Sequence, residues 1–295
     1  MGGGNGCLCV SHLPKITATL YNDGHYFISF EPVMLSADAL ILRTVDFSET
    51  SQIVTLYTRQ FGKTCALAKG GRRLKGPFES SLDILARNAV TFIPKRGDAL
   101  DLLTESKLIR RFRVRPSNIA GTLGGYYVVE LIDSFTAPND PIPPLYDMAM
   151  KVLSQLEEGT FVMRTLLRFE GRLLQLLGHS PSLRDCVECG TPVPRESGIV
   201  FGLVDGGVLC DDCLPGHRQT TRITAETLNT WESLTDPRDK SGHWKHFPAS
   251  QQTLGENRRL VNQYICALLG GKPRLHSWWN VIAKNDREPR EPREP

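Results

Sequence analysis

Four cysteines arranged as two pairs constrain this sequence more than any other feature. The pairs are Cys186 with Cys189 and Cys210 with Cys213; two residues separate the members of each pair, and twenty residues separate the pairs. This spacing is typical of a structural zinc site, because a two-residue gap lets both thiolates of a pair face one ion from a tight turn. Four thiolates complete a tetrahedron and leave no position for water or substrate. The sequence therefore predicts one structural Zn²⁺.

Two disulfides or a redox-active Cys-x-x-Cys are the alternatives that the spacing leaves open. A redox motif needs only one pair and usually begins a helix within a strand–helix–strand unit, and neither pair stands in such a context. A zinc deaminase would need a His-x-Glu or Cys-x-Glu element ahead of a Pro-Cys-x-x-Cys element. The segment Cys186-Val187-Glu188-Cys189 resembles this only superficially, because no Pro precedes Cys186 and no matching element lies upstream of it. Glycines and short apolar runs fill the segment between the pairs, which predicts small hairpins that bring the second pair back to the first.

The composition is that of a globular protein with an uneven charge. Of the 295 residues, 40% are hydrophobic and 23% are charged, and no apolar run reaches the roughly 18 residues of a membrane span. The other cysteines show no disulfide framework, which together with a zinc site indicates a reducing cytoplasm. Residues 36–114 contain fourteen Lys and Arg against eight Asp and Glu, although the net charge of the whole chain is only +3. This basic segment indicates a polyanionic partner, and a merely solvated surface is the alternative.

Hydrophobic periodicity divides the chain into a β region and a helical region. Short apolar runs predict five strands at residues 40–45, 53–58, 63–68, 89–93 and 102–109, with a helix at residues 81–86 between the third and the fourth. Five short strands in so few residues predict a small closed barrel over residues 34–114. After Pro116 the period becomes helical, with helices predicted at residues 119–135, 145–157, 162–177, 225–234 and 257–269.

The helical domain is predicted to be interrupted by the cysteine segment. It covers residues 115–183 and 219–284, and the zinc ribbon covers residues 184–218. Residues 1–33 form a glycine-rich leader that is either disordered or a gene-model extension ahead of a true start at Met34. Residues 285–295 contain three Arg-Glu-Pro repeats and are predicted to be disordered, because so polar a segment cannot bury a core.

An ordered set of local stretches resembles the family of the bacterial recombination mediator RecO. The stretches are residues 39–43, 47–51, 61–63, 68–73, 126–131 and 169–181, the last leading into 186–190. No single stretch is decisive, but their order is specific, and the similarity runs from about Met34 to Ala283. The resemblance implies an α+β architecture: an N-terminal OB-fold β-barrel followed by an α-helical domain with an inserted four-cysteine zinc ribbon. The leader and the Arg-Glu-Pro tail have no counterpart in it.

The resemblance also implies a function. It implies a non-enzymatic mediator of DNA repair and homologous recombination that binds single- and double-stranded DNA and anneals complementary strands. With RecR, such a mediator helps to load RecA onto DNA coated by the single-stranded DNA-binding protein, whose acidic C-terminal tail binds the helical domain. The implied location is the cytoplasm, at the nucleoid, with no membrane partner.

Basic residues of the predicted barrel form the candidate DNA interface. OB-folds bind single strands through a basic groove and exposed aromatic rings, and a glycine-flanked loop lets backbone and cations approach phosphates closely. Three clusters, at residues 69–76, 95–96 and 110–113, supply most of the charge. The candidate DNA-binding residues are Lys63, Lys69, Arg72, Arg73, Lys75, Lys95, Arg96, Arg110, Arg111 and Arg113. Phe47, Tyr57, Phe78 and Phe92 are candidate stacking rings, each with a place in the core as the alternative.

Two other classes of function compete with a mediator. An enzyme is not indicated, because the chain lacks the phosphate-binding Gly-x-x-x-x-Gly-Lys-[Ser/Thr] spacing and a carboxylate cluster for metal-assisted cleavage, so no catalytic residue is assigned. A zinc-ribbon transcription or ribosome-associated factor would carry its basic residues on the ribbon. Residues 184–218 instead contain three arginines and six acids. His179 and His217 flank this segment and are assigned surface or capping roles.

Overall fold

The computed structural model describes residues 16–20, 26–30, 33–73, 76–78, 81–95, 99–195, 198–239 and 241–285. The chain forms two compact units. The first contains Met1–Leu56 and Thr64–Ile109, and the second contains Tyr57–Lys63 and Arg110–Pro295. The predicted disordered tail lies outside the described residues, except for Asn285. Among the residues that the structure describes, none of the helices combines the length and the apolar character of a membrane span.

Two short strands precede the barrel. Strand β1 (Ile16–Leu20) pairs antiparallel with β2 (Tyr26–Phe30), with Ile16 opposite Phe30. The sequence predicted no element in this leader, because its apolar residues follow no sustained alternation.

Five further strands close into the predicted barrel. They are β3 (Leu35–Asp46), β4 (Gln52–Thr58), β5 (Gly62–Ala68), β6 (Arg87–Ile93) and β7 (Asp101–Arg110), and their order around the barrel is β3-β4-β5-β7-β6. Strand β3 pairs antiparallel with β6, and β5 pairs parallel with β7. The interior is filled by small and branched side chains such as Ala39, Ile41, Val54, Ala66 and Leu103. The fold is therefore OB-like, and all five predicted strands are confirmed.

The predicted helix at residues 81–86 is wrong. These residues form turns, and Leu85 has a positive φ of 70°. Their backbone hydrogen bonds go to strand β3: the Leu85 amide donates to the Ile41 carbonyl, and the Ile41 amide donates to the Ala86 carbonyl, both at 3.0 Å. The apolar spacing that resembled a helix instead buries Leu82 and Leu85. Tertiary hydrogen bonds thus override the local helical pattern.

The second unit is built mainly from six α-helices in the described ranges. They are α1 (Ile119–Phe135), α2 (Pro143–Glu158), α3 (Val162–Leu176), α4 (Ala225–Thr235), α5 (Gln251–Leu269) and α6 (Trp279–Asn285). Five of them confirm the predicted helices. Helix α5 begins six residues earlier than predicted, because the Ser250 hydroxyl accepts a hydrogen bond from the Thr253 amide and caps it there. Helix α6 was not predicted.

A buried ion pair lies at the centre of this helical unit. The Arg258 guanidinium of α5 donates to the Glu170 carboxylate of α3, and Glu170 is fully buried. The Tyr127 hydroxyl of α1 donates to the same carboxylate at 2.5 Å, and the Arg258 guanidinium carbon lies 3.5 Å from the centre of the Trp279 ring of α6. Side chains from four helices therefore meet at one charged group.

Three short strands follow α3. The strands are β8 (Ile199–Gly202), β9 (Gly207–Leu209) and β10 (Thr220–Ile223), and they form an antiparallel sheet in the order β10-β8-β9. The hairpins that the glycine-rich spacing predicted are thus present. They lie between the two cysteine pairs and just after the second one.

Candidate metal centre, nucleic-acid interface and peptide pocket

Two equivalent backbone turns position the four cysteine sulfurs. In the first, the Gly190 amide donates to the Cys186 carbonyl at 2.9 Å, and in the second the Leu214 amide donates to the Cys210 carbonyl at 3.0 Å. Gly190 has a φ of +74°, in the left-handed region where a side chain would be strained. The Val187 amide donates to the Val208 carbonyl at 2.9 Å and so attaches the first turn to β9. The sequence between the pairs therefore folds back as predicted.

The sulfur positions match those of a four-coordinate metal centre. All four Sγ atoms lie within 4.8 Å of one another, and the Sγ atoms of Cys189 and Cys210 are 3.7 Å apart. A disulfide would require about 2.05 Å, and the cysteines are free thiols. Tetrahedral Zn–S bonds of about 2.3 Å place neighbouring sulfurs about 3.8 Å apart. The residues present thus fit a metal ion held by four thiolates, and the two-disulfide alternative does not describe this structure.

The electrostatics of the four thiols also favour a cation. Burial of Cys186 opposes ionisation, but the backbone amides of Cys189, Cys210 and Glu188 donate to its sulfur and lower the pKa to about 6. Hydrogen bonds that the Cys213 thiol donates to the sulfurs of Cys210 and then Cys189 raise its pKa, because they stabilise the protonated form, and a thiolate at this position would be repelled by its neighbours. A divalent cation at the centre removes that repulsion, so that all four sulfurs can be thiolates together.

His217 connects two carboxylates beside this centre. Its Nε2 lies 2.9 Å from Glu188 Oε2, and its Nδ1 lies 2.9 Å from Asp205 Oδ2. The hydrogen bond to Glu188, followed by that to Asp205, raises the pKa of His217. The histidine thereby ties the first cysteine turn to the turn between β8 and β9. The sequence predicted a surface or capping role for His217 but not its partners, because both lie at a distance along the chain.

Four of the predicted DNA-binding residues have exposed side chains that form no ion pair with any residue in the described ranges. They are Lys69, Arg73, Lys95 and Arg113. Lys69 and Arg73 lie in the glycine-flanked loop after β5, and Lys95 lies in the turn after β6. An exposed cation without a carboxylate partner can neutralise a phosphate without breaking an existing pair. These side chains therefore remain the strongest candidates for a polyanion contact.

Three other predicted residues are paired with carboxylates. Lys63 Nζ is largely buried and lies 3.3 Å from Asp133 Oδ1. Arg72 NH2 lies 3.4 Å from Asp46 Oδ2 and Arg72 NH1 donates to the Ser48 carbonyl at 3.1 Å, while Arg110 pairs with Glu157. Arg111 is half-buried. The predictions for Lys75 and Arg96 lie outside the described residues.

The four candidate stacking rings are in different environments. Tyr57, Phe78 and Phe92 are buried, with at most 3% of each side chain exposed, so the core explains them. Phe47 is 60% exposed. Only this ring, among the four, is available to a base.

A pocket between α2, α3 and residues 237–244 was not predicted from the sequence. Its volume is about 520 Å³. The lining combines apolar and aromatic side chains with cations, among them Met148, Val152, Phe169, Trp244, Lys151 and Arg172. The Lys151 side chain is exposed and forms no ion pair within the described ranges, and Arg172 donates to Gln175 Oε1 at 2.6 Å. Two acids, Asp147 and Asp239, also line the pocket, and Asp147 is already paired with Arg59 at 2.9 Å.

Arg168 forms the polar wall of the pocket. Its guanidinium donates to the backbone carbonyls of Leu234, Asp236 and Asp239, and its central carbon lies 5.3 Å from the centre of the Trp244 ring. Burial lowers the pKa of Arg168, although an arginine stays charged at neutral pH. These hydrogen-bond partners are neutral carbonyls, and the carboxylates of Asp239 and Asp236 also act on the guanidinium through their charge.

A carboxylate organises the loop that carries Trp244. Asp239 accepts hydrogen bonds from four successive backbone amides, those of residues 241–244, and from the Ser241 hydroxyl. Burial opposes ionisation, but these donors, with the Trp244 amide first, lower the pKa of Asp239 to about 2. The carboxylate oxygens accept these hydrogen bonds within their own loop, so Asp239 fixes the shape of the pocket.

Comparison with known proteins identifies the family. The model described as "Recombination protein O N terminal" matches residues 34–112, and "Recombination protein O C terminal" matches residues 116–277. The chain belongs to the RecO family. It is 46% identical to the DNA repair protein RecO of Rhodopirellula baltica over 258 residues, which is 80% of this chain and 96% of that protein. The RecO proteins of Syntrophus aciditrophicus and Salinibacter ruber are 30% identical over 235 residues and 34% identical over 179 residues. These matches cover 79% and 60% of this chain and 90% and 67% of the relatives.

The two family-model matches include both candidate regions. The N-terminal match contains the barrel with Phe47, Lys69, Arg73 and Lys95, and the C-terminal match contains the four cysteines and the pocket. The resemblance that the ordered stretches indicated is confirmed.

Proposed function

We propose that this member of the RecO family is a non-enzymatic mediator of DNA repair and homologous recombination. It binds single- and double-stranded DNA, anneals complementary strands and, together with RecR, helps to load RecA onto DNA coated by the single-stranded DNA-binding protein. The observation that carries the proposal is the set of exposed cations on an OB-like barrel that form no ion pair with the described part of the chain. Cations at a surface reduce the repulsion between two polyanionic strands, which is the physical requirement for annealing.

The DNA contact is tested by removing the exposed cations of the first unit. Replacing Lys69, Arg73 and Lys95 by Ala should weaken binding to all sequences alike, because phosphates carry no sequence information. The slope of log affinity against log salt should flatten by about 0.7 for each phosphate that the variant no longer neutralises on single strands. The control replaces three exposed cations of the second unit, Arg222, Arg238 and Lys284, and removes the same charge.

Each outcome of this test either supports or contradicts DNA binding by the barrel. A loss confined to the barrel variant, accompanied by slower annealing, supports a DNA-binding barrel. Equal losses in both variants would show that net charge alone acts, and unchanged binding in both would remove the barrel from the interface. ATP hydrolysis or strand cleavage that co-purifies with the protein would contradict a non-enzymatic role.

The metal ion is proposed to be Zn²⁺. Four thiolates are soft ligands in a tetrahedral arrangement, and this combination selects zinc over the harder cations that prefer oxygen. With four protein ligands the ion is coordinatively closed, so its role is to hold the two cysteine turns together.

The pocket between α2 and α3 is proposed to receive the acidic C-terminal tail of the single-stranded DNA-binding protein. Carboxylates of such a tail would meet Lys151, Arg168 and Arg172, and an apolar side chain would contact the partly exposed Met148. Arg172→Ala should weaken binding of a fluorescent tail peptide while DNA affinity stays unchanged, whereas Arg222→Ala should alter neither. Unchanged peptide binding in a double Lys151→Ala, Arg172→Ala variant would place the tail elsewhere.

The alternative of a zinc-ribbon transcription or ribosome-associated factor gains little from the structure. Two of the three arginines between residues 184 and 218 are occupied, since Arg184 and Arg195 both pair with Glu232 of α4 at 2.9 and 2.8 Å. These residues attach the ribbon to the helical unit and leave Arg218 as its remaining cation.

A further inference from the structure

The turn between β3 and β4 presents one aromatic ring to solvent. Phe47 is 60% exposed, whereas the other candidate stacking rings of the chain are buried. An exposed ring contributes little to the core, because the stabilisation from burial is proportional to the apolar area removed from water. Core packing therefore explains the rings of Tyr57, Phe78 and Phe92 but not the exposed ring of Phe47.

Hydrogen bonds hold this turn in one conformation. The Phe47 and Ser48 amides donate to the Ser51 carbonyl at 3.0 and 3.2 Å, and the Ser51 amide donates to Ser48 Oγ at 3.2 Å. The Gln52 side-chain amide donates to Asp46 Oδ1 at 3.1 Å. A backbone held in this way loses little conformational entropy when a ligand stacks on the ring that it carries.

Arg72 fastens the same turn to the basic loop after β5. Its backbone amide donates to the Thr50 carbonyl at 3.1 Å, and its guanidinium donates to the Ser48 carbonyl at 3.1 Å and lies 3.4 Å from Asp46. The aromatic turn and the loop that carries the exposed Arg73 are therefore one connected structure. A ring and a cation on one connected surface correspond to a base and a phosphate of one strand.

The end of β3 continues this surface. Arg43 and Val45 are both exposed, and because side chains alternate along a strand they lie on the same face. Arg43 forms no ion pair with the residues that the structure describes. A cation and an apolar side chain thus lead along the strand to the Phe47 turn.

We propose that Phe47 is a base-stacking site through which this protein distinguishes unpaired strands from duplex DNA. The bases of a duplex are stacked within the helix and cannot cover the ring, whereas an unpaired base has a free face. Stacking tolerates any base, so the site adds strand selectivity without sequence preference. This inference rests on the proposed DNA-binding function.

The test compares three DNA ligands with equal backbone charge per strand: an oligothymidylate, an oligonucleotide of the same length made of abasic sites, and a duplex. Phe47→Ala should bind the oligothymidylate about tenfold more weakly, while binding to the abasic strand and the duplex should change less than about twofold. The salt slope should stay that of the wild type, because no phosphate contact is removed. Phe47→Trp should restore affinity, and its added tryptophan fluorescence should be quenched by the oligothymidylate but not by the abasic strand.

Matched variants separate stacking from apolar contact and from misfolding. Phe47→Leu keeps an apolar side chain but lacks the ring face, so it should resemble Phe47→Ala. Val45→Ala, a nearby exposed apolar substitution, should resemble the wild type, and thermal unfolding should be the same for all variants because Phe47 is exposed. Equal affinity of wild type and Phe47→Ala for the oligothymidylate, or equal losses on all three ligands, would overturn the stacking site alone. A wild-type protein that binds none of the three ligands would overturn the DNA-binding function itself.

Discussion

Arg258 in the second unit and Arg73 in the first are the same residue type in opposite environments. The Arg258 side chain is 9% exposed, donates to a fully buried carboxylate and lies against the rings of Tyr127 and Trp279. Arg73 is exposed in a loop and pairs with no carboxylate in the described ranges. Breaking a buried pair leaves an uncompensated charge, whereas an exposed charge contributes little to stability.

This difference separates stability from binding. In the helical unit, the Arg258–Glu170 pair is buried, and Glu170 Oε2 and Arg258 Nε have no further hydrogen-bond partner among the described residues, so loss of either charge should destabilise the unit. In the barrel, the exposed cations can be removed without disturbing the core of Ala39, Ile41 and Val54. Substitutions in the two units should therefore produce different signatures, one in unfolding and the other in DNA affinity.

The metal centre provides the largest expected effect. Cys210→Ser should abolish stoichiometric zinc and unfold the ribbon, because the apparent binding energy of a structural zinc ion, about 10 kcal/mol or more in isolated fingers, is folding energy. Metal analysis and thermal unfolding measure the two consequences. Cys65→Ser, which replaces an exposed cysteine outside the cluster, should change neither. Protein that is purified without chelator and contains no zinc, yet unfolds like the zinc-loaded form, would contradict a structural centre.

The buried ion pair should give the next largest effect. Arg258→Met leaves the Glu170 carboxylate buried without its partner and should cost about 3–5 kcal/mol in the free energy of unfolding. The double variant Arg258→Met, Glu170→Leu removes both charges and should recover part of that loss. Denaturant unfolding measures these changes, with Arg73→Met as the exposed control that should lie within about 1 kcal/mol of the wild type. If the single Arg258→Met variant is as stable as this control, the buried pair contributes no more to the free energy of unfolding than an exposed charge does.

Local pattern was sufficient for most of the fold and for the cysteines of the candidate metal centre. The five barrel strands and five of the helices follow from periodicity and capping. The spacing of the cysteines was enough to predict that their four sulfurs lie close together. The helix at residues 81–86 failed because its backbone partners lie on β3, far away in the sequence. The pocket and the Glu188–His217–Asp205 bridge were missed for the same reason. Charge in the sequence also could not show that Lys63 pairs with Asp133 and Arg110 with Glu157, because ion pairing depends on tertiary proximity.

The loop that shapes the pocket should be sensitive to acid. Its carboxylate, Asp239, has a folded-state pKa of about 2, against an ordinary value of 3.8. Because the folded-state pKa is the lower one, the stabilisation is present above about pH 4 and is lost as the pH falls towards about 2. Asp239→Asn should cost about 1–2 kcal/mol at neutral pH, since an amide oxygen cannot accept all these hydrogen bonds as a carboxylate does.

The pH dependence distinguishes this effect from a general loss of charge. The difference in unfolding free energy between wild type and Asp239→Asn should shrink as the pH is lowered from about 4 to about 2. Glu105→Gln, at an exposed barrel position, should show no such difference at neutral pH. A deficit of Asp239→Asn that stays constant over this range would mean that the carboxylate is not the group that holds the loop.

The smallest change in unfolding free energy is expected at two adjacent arginines of the barrel, Arg72, which is ion-paired, and Arg73, which pairs with no carboxylate in the described ranges. Arg72→Ala removes the guanidinium contacts to Ser48 and Asp46 and should cost up to about 1 kcal/mol in unfolding, as exposed ion pairs do. Arg73→Ala should leave the unfolding free energy unchanged and reduce the salt slope of single-strand binding by about 0.7. Arg72→Ala should reduce that slope less, because Asp46 already offsets part of its charge. The contrary result is that both variants reduce the salt slope of single-strand binding equally while the unfolding free energy stays unchanged. That result would mean that Arg72 exchanges Asp46 for a phosphate when DNA binds. The two arginines would then form one continuous contact with the strand.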